Sequence, residues 1–172
     1  MQIVNPLTHK SISEVQPGEL IVTSFGSGFA LAIYLRRLEQ SRSLFAIIGG
    51  PEFGTPEVYA TEHTGNCLSY GQEWVLEVVP GEETFPQNHY RPDERASLFL
   101  DNATVVLSLK FAEFQRERRV NFDLNTMADH QLSPYAAPVF AWRVWQSDFE
   151  RQKSGARPIF EITGDLNANS SS

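Results

Sequence analysis

The chain has 172 residues, carries 14 Lys and Arg against 21 Asp and Glu, and has a formal charge of −7. A domain of this length buries about 70% of the surface its extended chain exposes, so folding requires no disulfide or metal. One cysteine, Cys67, excludes an intrachain disulfide and argues against a stapled secreted scaffold. The longest apolar run, Phe29 to Leu35, is seven residues, whereas a spanning helix needs about 20, so no membrane segment is expected.

Residues 1–15 are polar, and Met1 to Lys10 shows no basic flank followed by an apolar stretch. No signal peptide is therefore expected, and the cytoplasm is the expected compartment. Gln16-Pro17-Gly18-Glu19 reads as a type II turn, with Pro at the second position and Gly at the third. Leu20 to Thr23 then reads as a strand rich in β-branched residues.

Ser24-Phe25-Gly26-Ser27-Gly28 lies between that strand and the next apolar segment. Ser24, Gly26, Ser27 and Gly28 are candidate anion-binding residues, because glycines and a helix N-terminus allow a phosphate to approach backbone amides. Gly26 and Gly28 begin a dinucleotide-type spacing, with Glu52 placed as a ribose-binding acid, but the third glycine position is Leu31. A doubly wound sheet would also need strand-helix alternation later in the chain, which the sequence lacks. From Phe29 to Gln40, Leu31, Leu35 and Leu38 share one helical face, Ala and Leu favour helix, and Ser27 suits its cap. A helix is expected there, with an alternating strand as the alternative.

Ser43 to Ile48 and Glu57 to Glu62 read as strands, the first ended by Gly49-Gly50-Pro51. From Ser43 to Tyr90 there is no Lys or Arg, but there are seven glutamates. Binding nucleic acid needs Lys and Arg to displace counterions from phosphates, so no nucleic-acid partner is expected. The dense basic run, Arg116, Arg118 and Arg119, reads as a solvated hairpin end. Glu52, Glu57, Glu62, His63 and Glu73 are adequate metal-ligand types, yet no His-x-His or His-Glu-x-x-His pair is present. No metal and no cofactor are expected, and the glutamates read as solvated sheet edges. His63 and Cys67 are the weak catalytic candidates, a base and a thiol four residues apart. The acidic surroundings oppose a thiolate.

Trp74 to Val79 alternates as a strand, Glu82 to Asp93 is a Pro-bounded loop, and Ala96 to Phe111 reads as a hairpin turning at Asp101-Asn102. Val120 to Leu124, Val139 to Gln146 and Pro158 to Thr163 are further strands. Trp142 and Trp145, three apart on a strand, face opposite sides, so the strand is expected to be covered on both. With Trp74, Tyr90 and Tyr135 they are the candidate ligand-binding aromatics. His130 is placed near Asp129 and Asp123 as an acid-base pair.

These elements give a mainly β fold (α+β if the helix forms), an antiparallel β-sandwich or barrel of about eight or nine strands with at most one or two short helices. One β-rich domain is expected over residues 1–164, with a frayed tail at 165–172. The expected function is a non-enzymatic binding or assembly module. Its expected partner is a second copy of the chain (a homo-oligomer), another protein or a small ligand, met through aromatic residues or an acidic face. Two readings stand beside it: a barrel that binds a sugar or nucleotide, and a small hydrolase or transferase using His63 and Cys67.

Overall fold

The computed structural model describes residues 7–26, 28–39, 41–51, 56–62, 64–80, 96–113 and 116–163. In chain order its strands are β1 (Thr8–Ser11), β2 (Leu20–Phe25), β3 (Gly28–Arg37), β4 (Ser43–Gly49), β5 (Glu57–Thr61), β6 (Asn66–Gly71), β7 (Val75–Val78), β8 (Leu98–Asp101), β9 (Thr104–Glu113), β10 (Arg116–Asp123), β11 (Ala137–Val139), β12 (Trp142–Trp145) and β13 (Phe160–Ile162). A 3-10 turn, Ile12–Glu14, follows β1, and a single helical turn, α1 (Asp148–Arg151), follows β12.

Ten strands make one sheet in the order β1-β6-β2-β3-β4-β5-β9-β8-β11, with β10 attached to β9; β13-β12-β7 make a small second sheet. The arrangement is sandwich-like, with no closed barrel among the described residues. Short segments such as β1 and β11 raise the number of strands above the eight or nine expected, because four or fewer residues carry little periodic signal. One pairing departs from the expected antiparallel pattern: β5 runs parallel to β9 through Glu57↔Lys110 and Val58↔Phe111. Strand β9 pairs with β10 along one edge, while β8 and β5 share its other edge, so the sheet forks there.

The segment expected to be helical is strand β3. It pairs with β2 on one side and β4 on the other. Ala30, Ala32 and Tyr34 enter one apolar core, and Ile33 and Leu35 the other. A strand buried on both faces reads as a continuous apolar run, and its ladders on both edges override the helix preference of Ala and Leu. Gln40, and Ser27 as the expected cap, lie outside the described residues. The strand expected over Val139 to Gln146 is also divided. β11 pairs with β8 in the large sheet and β12 with β7 and β13 in the small one, so the chain changes sheet at Phe140-Ala141.

The main core lies between the sheets. Leu20, Ile33, Leu44, Ile48 and Leu107 of the large sheet meet Trp142 and Val144 of the small one. The second core, with Ile12, Val15, Phe25, Phe45 and Cys67, covers the opposite face of the large sheet. Every residue of β4 is consequently buried. At the joint between sheets, the Phe160 ring lies against Gly49, where an added Cβ would stand 2.3 Å from a ring carbon. The tail 165–172 lies outside the described residues. Among those described, no helix is long and apolar enough to cross a membrane.

Candidate functional site

The Gln16–Glu19 turn forms as its sequence predicts, with Gly18 at φ +86 and the Glu19 amide donating to the Gln16 carbonyl at 3.0 Å. It is pinned from several sides. The Gly18 amide donates to the Tyr34 carbonyl, the Trp74 indole Nε1 donates to the Gly18 carbonyl at 2.8 Å, and Gln72 Nε2 donates to the Pro17 carbonyl at 2.7 Å. The Glu19 side chain is buried. Burial pushes its carboxyl upward, but hydrogen bonds from Ser69, Lys10 and the Gln16 amide outweigh that and leave it below the ordinary carboxylate value.

Opposite this turn stands the turn that follows β10. Asp123 organises it: its Oδ1 accepts from the Asn125 amide, and its backbone carbonyl accepts from the Met127 amide, both at 2.8 Å. Met127 is held at φ 55, the left-handed region that a side chain other than glycine's enters at a cost. Its methyl carbon reaches towards Gly18, where a Cβ would come within 3.3 Å of it. Gly18 thus serves both the backbone conformation and the close approach.

Between the turns is a cleft of about 580 Å³. Trp74, Leu76, Val105, Leu124 and Met127 supply apolar walls, and Gln72, Asn125 and Thr126 supply polar groups. Volume and lining match a pocket that buries a small molecule and orients it by a few polar contacts. Among the described residues, none that lines the cleft carries an ionisable side chain.

The other aromatic candidates separate. Trp142 is fully buried between the sheets, with Phe160 at 5.5 Å between ring centroids. Trp145 faces the outer side of β12 and is also buried, its indole Nε1 donating to Glu77 at 2.8 Å. The two therefore do face opposite sides of a strand covered on both. Tyr135 is 92% exposed on a loop, and Tyr90 lies outside the described residues.

Cys67 is buried in the second core, and burial first, then the nearby Glu19 charge, push its thiol up to about 11. Both effects oppose the thiolate that a cysteine nucleophile needs. His63 lies outside the described residues. Ser24 and Gly26 form the exposed end of the β2–β3 hairpin, where the Ser24 hydroxyl donates to the Gly26 carbonyl. Gly28 opens β3, so the helix N-terminus needed for anion binding there is replaced by a strand. Glu52 lies outside the described residues, Glu62 and Glu73 are exposed, and burial raises the Glu57 carboxyl. No group of three potential metal ligands occurs among the described residues. Glu77, from the acidic stretch, is neutralised in space by Arg143 and Arg151.

The sequence did not point to a buried carboxylate cluster at Asp101. Its Oδ1 accepts from the Ser133 hydroxyl at 2.6 Å, and its Oδ2 accepts from the Ser133 amide at 2.8 Å and meets His130 Nε2 at 3.0 Å. These bonds hold the carboxyl below its ordinary value against the opposing effect of burial. His130 therefore pairs with Asp101, while Asp129, expected as its partner, bonds Arg36. The carboxylate takes up the serine hydroxyl as well as the imidazole, so the cluster fastens a loop and does not prepare a nucleophile. Compared with known protein families, curated proteins and solved structures, the chain matches none.

Proposed function

We propose that the protein is a non-catalytic binding module that holds a small, mainly apolar ligand in the Trp74 cleft. The observation that carries this reading is the cleft itself. It is preformed, walled by a tryptophan whose ring is fixed through its own hydrogen bond, and lined among the described residues by apolar and neutral polar groups. A fixed aromatic wall binds at little conformational cost, and Gln72, Asn125 and Thr126 confer orientation. The left-handed Met127 is consistent with this, because local strain persists where the surroundings determine a conformation that a site uses.

Native mass spectrometry of the purified protein tests the reading, followed by thermal-shift titration with apolar, aromatic and sugar compounds. A retained mass or a saturable shift is expected, and Asn125→Ala or Gln72→Ala should weaken it about five- to tenfold, the loss of one hydrogen bond. Silence across the panel together with an empty spectrum refutes the ligand reading. The assembly reading draws on one specific feature, the exposure of Tyr135 on a loop fastened at Ser133, since rigid exposed tyrosines are frequent interface anchors. The same spectrum tests it: a multimer that Tyr135→Ala dissociates supports a homo-oligomer, and a clean monomer at high concentration opposes one.

A further inference from the structure

On the opposite face of the large sheet, a second hollow of about 430 Å³ differs in chemistry from the cleft. Three chain segments meet there. The turn after β1 contributes Ser11 and Ser13, the β3–β4 hairpin contributes Tyr34, Arg37, Ser41 and Ser43, and Thr64 lies before β6. Six of the ten lining residues carry hydroxyls, Ile12, Val15 and Pro17 supply apolar surface, and Arg37 is the cation among the lining residues.

Three observations bear on what these groups could hold. First, the sheet register shifts between Tyr34 and Arg36. In a regular strand, positions 34 and 37 face opposite sides, and the bulge brings Arg37 onto the face of Tyr34. Arg36 goes to the other side, where it pairs with Asp129 and lies 5.9 Å from the centre of the Phe122 ring. Secondly, Tyr34 and Ser43 are each only 5% exposed. Among the described residues, neither side chain has a hydrogen-bond partner. Their hydroxyls are therefore left to donate to whatever enters the hollow. Thirdly, Arg37 is exposed and has no ion pair among the described residues, so its guanidinium is open to an anion entering the hollow. Glu14, the acid of the adjoining turn, is engaged by the Ser11 amide at 3.0 Å.

We propose that this hollow binds a tetrahedral oxyanion, phosphate or sulfate, with the Arg37 guanidinium donating to two of its oxygens and Tyr34, Ser41, Ser43 and Thr64 donating through their hydroxyls. A guanidinium fork matches the spacing of such oxygens, and hydroxyls supply neutral donors without further charge. The site shares no ionic group with the Trp74 cleft and stands independently of the reading given to it.

The test is titration calorimetry of the full chain with inorganic phosphate, sulfate and an alkyl phosphate monoester, with chloride holding ionic strength constant. Saturable binding of one or more of these anions by the unaltered chain is expected. Arg37→Gln should weaken it about tenfold or more, and Tyr34→Phe about two- to tenfold. Arg37 is exposed, so its replacement leaves folding intact, and Arg157→Gln, at another exposed arginine, should bind as the unaltered chain does. Tighter binding of the monoester would mean that the anion is the head of a larger molecule; equal binding would assign the site to the free ion. Either supports the proposal. No saturable response, or equal affinity before and after Arg37→Gln, overturns it.

Discussion

Gly49→Ala tests how the two sheets are joined. The new methyl carbon would lie 2.3 Å from Phe160 Cε2 and 2.6 Å from Cδ2. Carbon atoms pack at about 3.5–4.0 Å, so the ring has to retreat by about 1 Å. Its retreat is resisted by Trp142, whose ring centre is 5.5 Å away and which is itself fully buried. Overpacking of this kind costs roughly 1–3 kcal/mol. At about 2 kcal/mol, and with about 2–4 °C per kcal/mol for a chain of this length, Tm should fall by about 4–8 °C. Urea unfolding followed by tryptophan fluorescence measures the same loss at equilibrium. Phe160→Leu removes the ring edge, so the double variant should lose less than the two single variants together, with a coupling of about 1 kcal/mol or more. If Gly49→Ala unfolds within about 0.5 kcal/mol of the unaltered protein, as ordinary surface changes do, Phe160 is not seated on Gly49 and the proposed joint is wrong.

Two further outcomes concern titratable groups. Asp101 is stabilised in its ionised form, so its contribution is complete above the unfolded carboxylate value near 4 and is lost as pH falls through the lower folded value. Asp101→Asn should therefore cost about 1.5–3 kcal/mol at pH 7 and flatten the acid-side loss below about pH 4; parallel profiles for the two proteins would refute the assignment. Cys67, with its thiol pushed up to about 11 in a buried site, should be alkylated by iodoacetamide at pH 8 roughly a hundredfold more slowly in the folded chain than in urea. Equal rates would show that the thiol is open to solvent.

The sequence displays its strands well where large apolar residues recur at every second position. The alternation Val105, Leu107, Leu109 and Phe111 matches β9, and the Asp101-Asn102 turn lies one residue from the observed loop, where Asn102 adopts φ 55. It misleads where a strand dry on both faces is also rich in Ala and Leu. In β3 the two cores divide successive residues, and register shifts after Leu31 and after Tyr34 break the two-residue period. Helix and strand are then indistinguishable by periodicity, and Ala and Leu tip the reading the wrong way. The Asp101 cluster is hidden for another reason. Its partners are 29 and 32 residues away, whereas local reading placed His130 beside Asp129, whose partner Arg36 is 93 residues distant.

One short motif nevertheless marks where the candidate sites lie. Pro17 lines both the Trp74 cleft and the Arg37 hollow, so the turn predicted from Gln16-Pro17-Gly18-Glu19 stands between them. What makes that turn rigid is not visible in its four residues. The Glu19 carboxylate is taken out of water and held by Lys10 and Ser69, contributed by β1 and β6, and by the Gln16 amide. A buried charge is tolerated only when its partners are in place, and removing one leaves an uncompensated ion. The turn is therefore fixed by three strands (β1 and β6, with β3 through the Tyr34 carbonyl), and two unrelated surfaces can be built against it. Prolines and glycines disclose where the chain bends; which side chains gather at the bend depends on sheet order, and sheet order is set by pairings between residues far apart in the chain.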